Sequence, residues 1–206
     1  MVNFGYAQKI EYIYDANGTK KRKSVTYYPN DGGLIVLKTD HIEYMGGYQY
    51  KNGELQFFPT AEGYVRNTQG ALSYAFQYRD HLGNIRLSYA GSRTAPIMEE
   101  NHYYPFGLKH EKYNSDTYEF VEVEGSDGYY TGIELSGPNA ENSYQYKYNG
   151  KEFQDELGLN MYAMDMRQYD PAIGRWVVQD PIVHHNMSPY NAVMYQIRCF
   201  TKCQCN

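Results

Sequence analysis

Apolar and polar positions alternate along this chain in short runs broken by Gly, Asn and Asp. "YIYDANGTKKRK" sets Tyr12 and Tyr14 two residues apart, so a strand would carry both on one face. The "DANG" that follows supplies a turn, with Asn17-Gly18 suited to positive φ. The same phrase returns as "YQYKNGEL" with Tyr48, Tyr50 and Gly53, and as "FQYRDHLGNIRLSY" with Tyr78, Asp80 and Gly83. "YQYKYNGKEF", with Tyr146, Tyr148 and Gly150, is the fourth instance. The glycines fall at 18, 53, 83 and 150, in steps of 35, 30 and 67, the last close to a double step. Each unit predicts a strand, a turn and a returning strand. Such a unit cannot bury its own face, so the units must stack or pair side by side.

Between the repeats, residues 91–102 and 111–142 are polar and read as longer hairpins or loops, with "EFVEVEG" (119–125) alternating well enough for one strand. "NDGGL", 30–34, is a turn. "MYAMDMRQY" alternates as a single strand, with Tyr162, Met164 and Met166 on one face and Asp165 and Arg167 on the other. "YDPAIGRW" predicts a hairpin: strand to Tyr169, turn over 170–174, strand from Arg175. Asp180-Pro181 opens a further turn. The best helix candidate is "KEFQDELG", 151–158, two turns ended by Gly158.

Composition sharpens this to an all-β fold. Tyrosine occurs 25 times in 206 residues, largely among Gly, Asn and Asp, which mixes strand formers with turn formers. The length allows one ordinary domain or two small ones. A net charge of −5 argues against a nucleic-acid partner. The basic run Lys20-Lys21-Arg22-Lys23 reads as a solvated strand end rather than a phosphate patch. No run of 18 apolar residues exists, so no membrane span is expected. The opening "MVNFGYAQKI" lacks a signal-peptide apolar region and reads as if it starts inside a strand, which suggests a fragment. Cys199, Cys203 and Cys205 form C-x3-C-x-C with His184-His185 upstream, a spacing unlike the usual zinc pairs. His81 and His102 sit beside turn or aromatic segments and read as structural. No P-loop, G-x-S-x-G or H-E-x-x-H occurs, so neither cofactor nor metal is expected.

Two stretches resemble a known family. Tyr12-x-Tyr14-Asp15-x-x-Gly18 is similar to the unit of RHS/YD-repeat proteins. Residues 144–182 resemble the RHS repeat-associated core, matching at Gly158, Leu159, Arg167, Tyr169, Asp170, Pro171, Gly174, Arg175, Trp176, Asp180 and Pro181. "YRDHLGNIR" (78–86) and "YYPFG" (103–107) resemble segments that precede that core, and "SPYNAV" (188–193) is the last recognisable piece. The resemblance implies YD-repeat β-hairpins forming part of a spiralling β-sheet shell that ends in the core. It divides the chain into a repeat region at 1–143, the core at 144–183 and a variable tail at 184–206. It implies a structural end-piece of a shell that encapsulates or presents a C-terminal toxin or effector. The partners would be the remainder of the shell and a cargo domain, in a secreted or cell-surface bacterial protein.

The same resemblance carries a chemical alternative, a single-turnover aspartic autoprotease. Peptide hydrolysis by carboxylates needs two of them sharing a proton. In self-cleaving members the second Asp-Pro of the core, here Asp180, is catalytic, and the arginine matched by Arg167 assists it. The partner carboxylate follows that arginine directly in some members, where this chain has Gln168. In others it lies downstream, but no Asp follows Asp180 here. Asp170 is the remaining candidate, either as a second catalytic carboxylate or as a turn-former whose side chain accepts local N–H groups. An exposed, Tyr-rich carbohydrate-binding surface is a third alternative.

Overall fold

Strand after strand pairs with its sequence neighbour in the computed structural model, which describes residues 2–3, 7–29, 36–93, 95–110, 118–125, 128–135, 144–164, 167–180 and 187–192. Ten strands form one antiparallel sheet in strict sequence order. They are β1 (Val2–Asn3), β2 (Lys9–Tyr14), β3 (Lys20–Tyr27), β4 (Lys38–Met45), β5 (Tyr48–Lys51), β6 (Glu54–Pro59), β7 (Gly63–Thr68), β8 (Ala71–Arg79), β9 (Ile85–Ala90) and β10 (Ile97–Glu100). A separate hairpin joins β11 (Tyr118–Gly125) to β12 (Gly128–Leu135). A four-stranded sheet then runs through β13 (Glu152–Gln154), β14 (Met161–Met164), β15 (Arg167–Asp170) and β16 (Arg175–Trp176). The chain is all-β, as the composition predicts. We call the four-stranded sheet with its turns the core segment and the ten-stranded sheet the ribbon.

The turns explain the order. At 15–18 the Asp15 N–H donates to Thr19 O at 2.9 Å and the Gly18 N–H to Asp15 O at 3.0 Å, with Gly18 at φ 78°. The Asp15 carboxylate accepts from the Asn17 and Thr19 N–H groups. At 80–83 the same hardware recurs: Asp80 N–H to Asn84 O, Gly83 N–H to Asp80 O, and the Asp80 carboxylate on the Leu82 and Asn84 N–H groups. Both turns follow a register shift, after Ile13 and after Tyr78. The Asn52-Gly53 repeat is a different device. Both residues have positive φ, 53° and 88°, between the paired Lys51 and Glu54, which is a two-residue primed turn matched to strand twist. Three of the four repeat units thus mark where the ribbon reverses but not how; the fourth lies outside it, as a 3-10 turn at Tyr148–Gly150 ahead of β13.

Three apolar clusters hold these layers. Phe57, Tyr64, Ala75, Ile85, Ala90, Met98 and Tyr144 are buried together, with Phe120 and Ile133 of the β11/β12 hairpin packed on them. Tyr148, Tyr162, Tyr169, Trp176 and Ala192 form the centre of the core segment. Ile10, Val25 and Ile42 on the ribbon are covered by Leu157 and Leu159 of the core segment. The "YYPFG" segment packs on the second of these. Tyr169 donates to Phe106 O at 2.9 Å, Tyr162 to Gly107 O at 3.2 Å, and Gly107 lies so close to the Tyr148 ring that a Cβ would sit 2.6 Å from it.

Several sequence expectations need correction. Residues 151–158 are not a two-turn helix. β13 pairs with β14, and only a 3-10 turn, Glu156–Gly158, follows. Leu157 and Gly158 both take positive φ, 55° and 73°, which an α-helix excludes. "MYAMDMRQY" is not one strand: Met164 pairs across to Arg167, so the chain reverses between them. The face assigned to Asp165 and Met166 lies outside the described residues. Residues 97–100 within the segment 91–102 form a strand of the ribbon. The basic run is split. Lys21 is exposed and Arg22 half-buried, whereas Lys23 is 1% exposed and Lys20 is largely covered. The register shift explains it: Ile13 pairs with Arg22 but Tyr14 with Lys20, so Lys21 is the extra residue of a bulge, a device that re-aims side chains. The turn at 30–34, His184-His185 and the three cysteines lie outside the described residues.

Candidate functional site

The two Asp-Pro turns use their carboxylates differently. Asp170 ends β15 opposite Arg175, and its Oδ1 accepts the Ala172 N–H at 2.9 Å. Gly174 closes that turn at φ 65°, under the Phe106 ring. Asp180 instead accepts from Arg167 Nη1 at 2.8 Å through Oδ2, with both side chains 18% exposed. Its own N–H donates to Pro189 O at 2.8 Å, and the Trp176 N–H donates to Tyr190 O at 3.1 Å. Residues 188–192 therefore fold back along β16. The Arg167 guanidinium lies over the Trp176 ring, 4.1 Å from its centroid, a cation–π contact that fixes the fork.

Arg167 and Asp180 are therefore brought together, and Asp170 is engaged in its own turn. Gln168 donates to the Tyr12 hydroxyl at 2.9 Å and to Gln154 Oε1 at 3.4 Å. Tyr12 in turn donates to Gln154 Oε1 at 3.0 Å. This polar chain joins β2 of the ribbon to β13 and β15. It offers amide and phenol groups, with no second acid.

A buried charge cluster was not legible in the sequence. Glu152, 3% exposed, is held by Lys20 and by Lys23, the latter at 2.7 Å, and accepts the Tyr44 hydroxyl at 2.7 Å. Lys23 also pairs with Glu156. Burial alone would raise the Glu152 pKa, but Lys23 and then Lys20 outweigh it and hold the carboxyl at about 2. Burial would likewise discharge Lys23, yet Glu152 and Glu156 keep its pKa above the ordinary lysine value. A second buried set repeats the logic. Glu99, 6% exposed, takes Lys147 and, at 3.0 Å, Lys109. Both sets join the ribbon to the chain beyond it. The one available signal was position: Lys23 precedes Val25 by two and so shares its inward face. Nothing local marks Glu152 as its partner, 129 residues away.

Tyrosine hydroxyls are spent inside the protein as well. Tyr12, Tyr44, Tyr103, Tyr162 and Tyr169 all donate to internal acceptors. Among the described residues no group of three or more His, Cys, Asp or Glu side chains is arranged to hold a metal ion. No helix among them is long and apolar enough to cross a membrane.

These features define an RHS-like fold, a sequentially paired antiparallel ribbon with a small sheet docked on it. A structure described as TcdB2-TccC3-TEV matches over 95% of this chain, with a TM-score of 0.63 and 18% identity, and this chain covers 9% of it. A second, TcdB2-TccC3, matches with a TM-score of 0.62 and 17% identity, again over 95% of this chain and 9% of that one. Among curated proteins, salivary gland surface protein 1 of Aedes aegypti is 26% identical over 200 residues, which is 89% of this chain and 5% of that protein. The chain thus spans less than a tenth of each. No family model matches it.

Proposed function

We propose that this chain is a structural end-piece of an RHS-type shell that encloses or presents a cargo, with residues 1–143 as ribbon, 144–183 as the closing core and 184–206 as tail. The observation that carries this is the docking of the core segment on the ribbon. Lys20 and Lys23 meet Glu152 and Glu156, Lys147 meets Glu99, and Leu157 and Leu159 cover Ile10, Val25 and Ile42. A ribbon alone would leave one face open. Here the sheet that follows it in the chain packs on that face through apolar contacts and buried charge pairs. The ribbon's likeness to TcdB2-TccC3 chains supports the same reading. Electron microscopy of the polypeptide expressed from its own gene tests it. The expected result is a hollow β-walled particle with residues 144–180 at one end. A particle without an enclosed volume refutes it.

A second reading, cleavage in cis by Asp180, is favoured by one observation, the Arg167 fork on the Asp180 carboxylate. That contact sets a positive charge against the Asp180 carboxylate and fixes its position. The leaving amine would still need an acid, and Asp170 gives its Oδ1 to Ala172. Intact mass of freshly made protein decides. Two fragments that merge into one species on Asp180→Asn would establish cleavage, and a single full-length species in both proteins removes it.

A further inference from the structure

The ribbon has two faces, and the chain beyond it packs on one. Phe57, Tyr64 and Ala75 turn toward the buried cluster that holds Tyr144, and Ile10, Val25 and Ile42 toward Leu157 and Leu159. Alternation sends their strand neighbours to the opposite face. Over β2–β4 that opposite face is polar. It carries the Lys9–Glu11 and Arg22–Glu43 ion pairs and the contact of Ser24 with His41. Over β5–β10 its character changes.

Strand register shows an unbroken apolar surface there. Phe58 stands opposite Val65, and Val65 opposite Tyr74, in one row across β6, β7 and β8. Two residues further along β8, Phe76 stands opposite Tyr89, and Tyr89 opposite Ile97, in a second row that reaches β10. Tyr48 stacks on Phe58 with ring centroids 4.9 Å apart, and Phe76 on Tyr89 at 5.6 Å. Leu72 and Tyr78 extend the surface at the two ends of β8. None of these residues is charged. At the margins Glu43 is paired with Arg22, and Glu100 lies 2.7 Å from His102.

Leu72, Tyr74, Tyr78 and Ile97 each keep more than half of their surface exposed, and Tyr48 nearly half. At about 150–250 Å² for each large side chain, these five present on the order of 500 Å². A soluble domain keeps such patches below about 400 Å² unless they bind something. The half-buried Phe58, Phe76, Leu87 and Tyr89 carry the total toward the roughly 800 Å² that each partner buries in a stable complex.

We infer that this face joins two copies of the chain in a twofold dimer, ring against ring across β5–β10. An uncharged aromatic sheet face is matched by another of its kind. Sheets pack face to face about 10 Å apart with side chains interdigitated, and neither partner has a charge to desolvate. A strongly charged partner would find no counter-charge here. The twofold operation sets the same patch on both sides and closes the assembly at two. The inference makes no use of the ribbon's enclosing role and survives the failure of that reading.

Sedimentation velocity of the full chain from about 1 to 100 µM tests it. The expected result is a concentration-dependent shift from the 24.0 kDa monomer to twice that mass. Tyr74→Glu puts a charge where the two rows meet and should weaken association about thirtyfold or more. Tyr78→Glu should act in the same direction. Both side chains are exposed, so far-UV dichroism and the urea midpoint should match wild type. Ile13→Glu is the control: Ile13 is exposed on the same face but stands opposite Arg22, in the polar part, and its loss should leave the dimer intact. A monomer at every concentration overturns the inference, and flotation of that monomer with phosphatidylcholine vesicles would give the face to a lipid surface instead. Association that neither tyrosine variant weakens also overturns it, because pairing through open strand edges would behave that way. So does equal loss in Ile13→Glu, or growth past two copies.

Discussion

Glu152→Gln removes the one charge on which Lys20 and Lys23 converge. The glutamine keeps the shape and can still accept the Tyr44 hydroxyl, so the perturbation is electrostatic. Lys23, 1% exposed, retains Glu156, while Lys20 loses its carboxylate partner. Breaking a buried pair from one side costs about 3–5 kcal/mol. The pKa gives an independent figure. The Glu152 carboxyl sits at about 2 against an ordinary 4.5. At 1.36 kcal/mol per unit, that is about 3 kcal/mol. The two routes agree, and the loss is a large share of a typical domain's stability. The pH dependence follows in sign. Between the folded and unfolded pKa the unfolded chain binds a proton that the native one does not, so stability rises with pH there. The Glu152 contribution is whole above about pH 4.5 and is lost as pH falls toward 2. Urea unfolding followed by the fluorescence of Trp176 measures it in both proteins across that window. Other carboxyls with lowered pKa, including Glu99 and Asp80, share the acid limb, so the quantity to follow is the gap between wild type and variant. That gap should be about 3 kcal/mol at pH 7 and close toward pH 2. A gap under about 1 kcal/mol at pH 7, or one that stays constant on acidification, refutes the reasoning.

Gly63→Ala should cost about 1–3 kcal/mol in the same assay, because the new Cβ would lie 2.0 Å from the Ala75 backbone oxygen and force β7 from β8; wild-type stability would show that the strands part easily. Asp80→Ala should cost about 2 kcal/mol, since Leu82, Asn84 and Arg86 all donate to that carboxylate, and amide exchange should quicken at residues 82–84 before it does in β2. Arg167→Met lifts the guanidinium from the only tryptophan and removes its contact with Asp180, so Trp176 emission should change intensity with little change in far-UV dichroism; an identical emission spectrum would count against the cation–π geometry.

The alternation of apolar and polar residues determined the all-β class, and the Gly positions determined where the strands reverse. Both are local properties: strand side chains alternate with period two, and positive φ selects Gly and Asn within a few residues. The hairpin at 170–174 was legible for the same reason, whereas Gly158, expected to end a helix, instead ends a 3-10 turn after a strand. Only the tertiary structure decided which charges are buried. Lys23 and Lys21 stand in one basic run, and a single bulge sends one inward and leaves the other in water. Glu152 read as part of a helix, and nothing local named its partners, which are 129 and 132 residues away. Asp170 and Asp180 are spelled alike, yet one caps its own turn and the other waits for Arg167. Charge pairing across such separations depends on how sheets stack, and no short-range pattern records that.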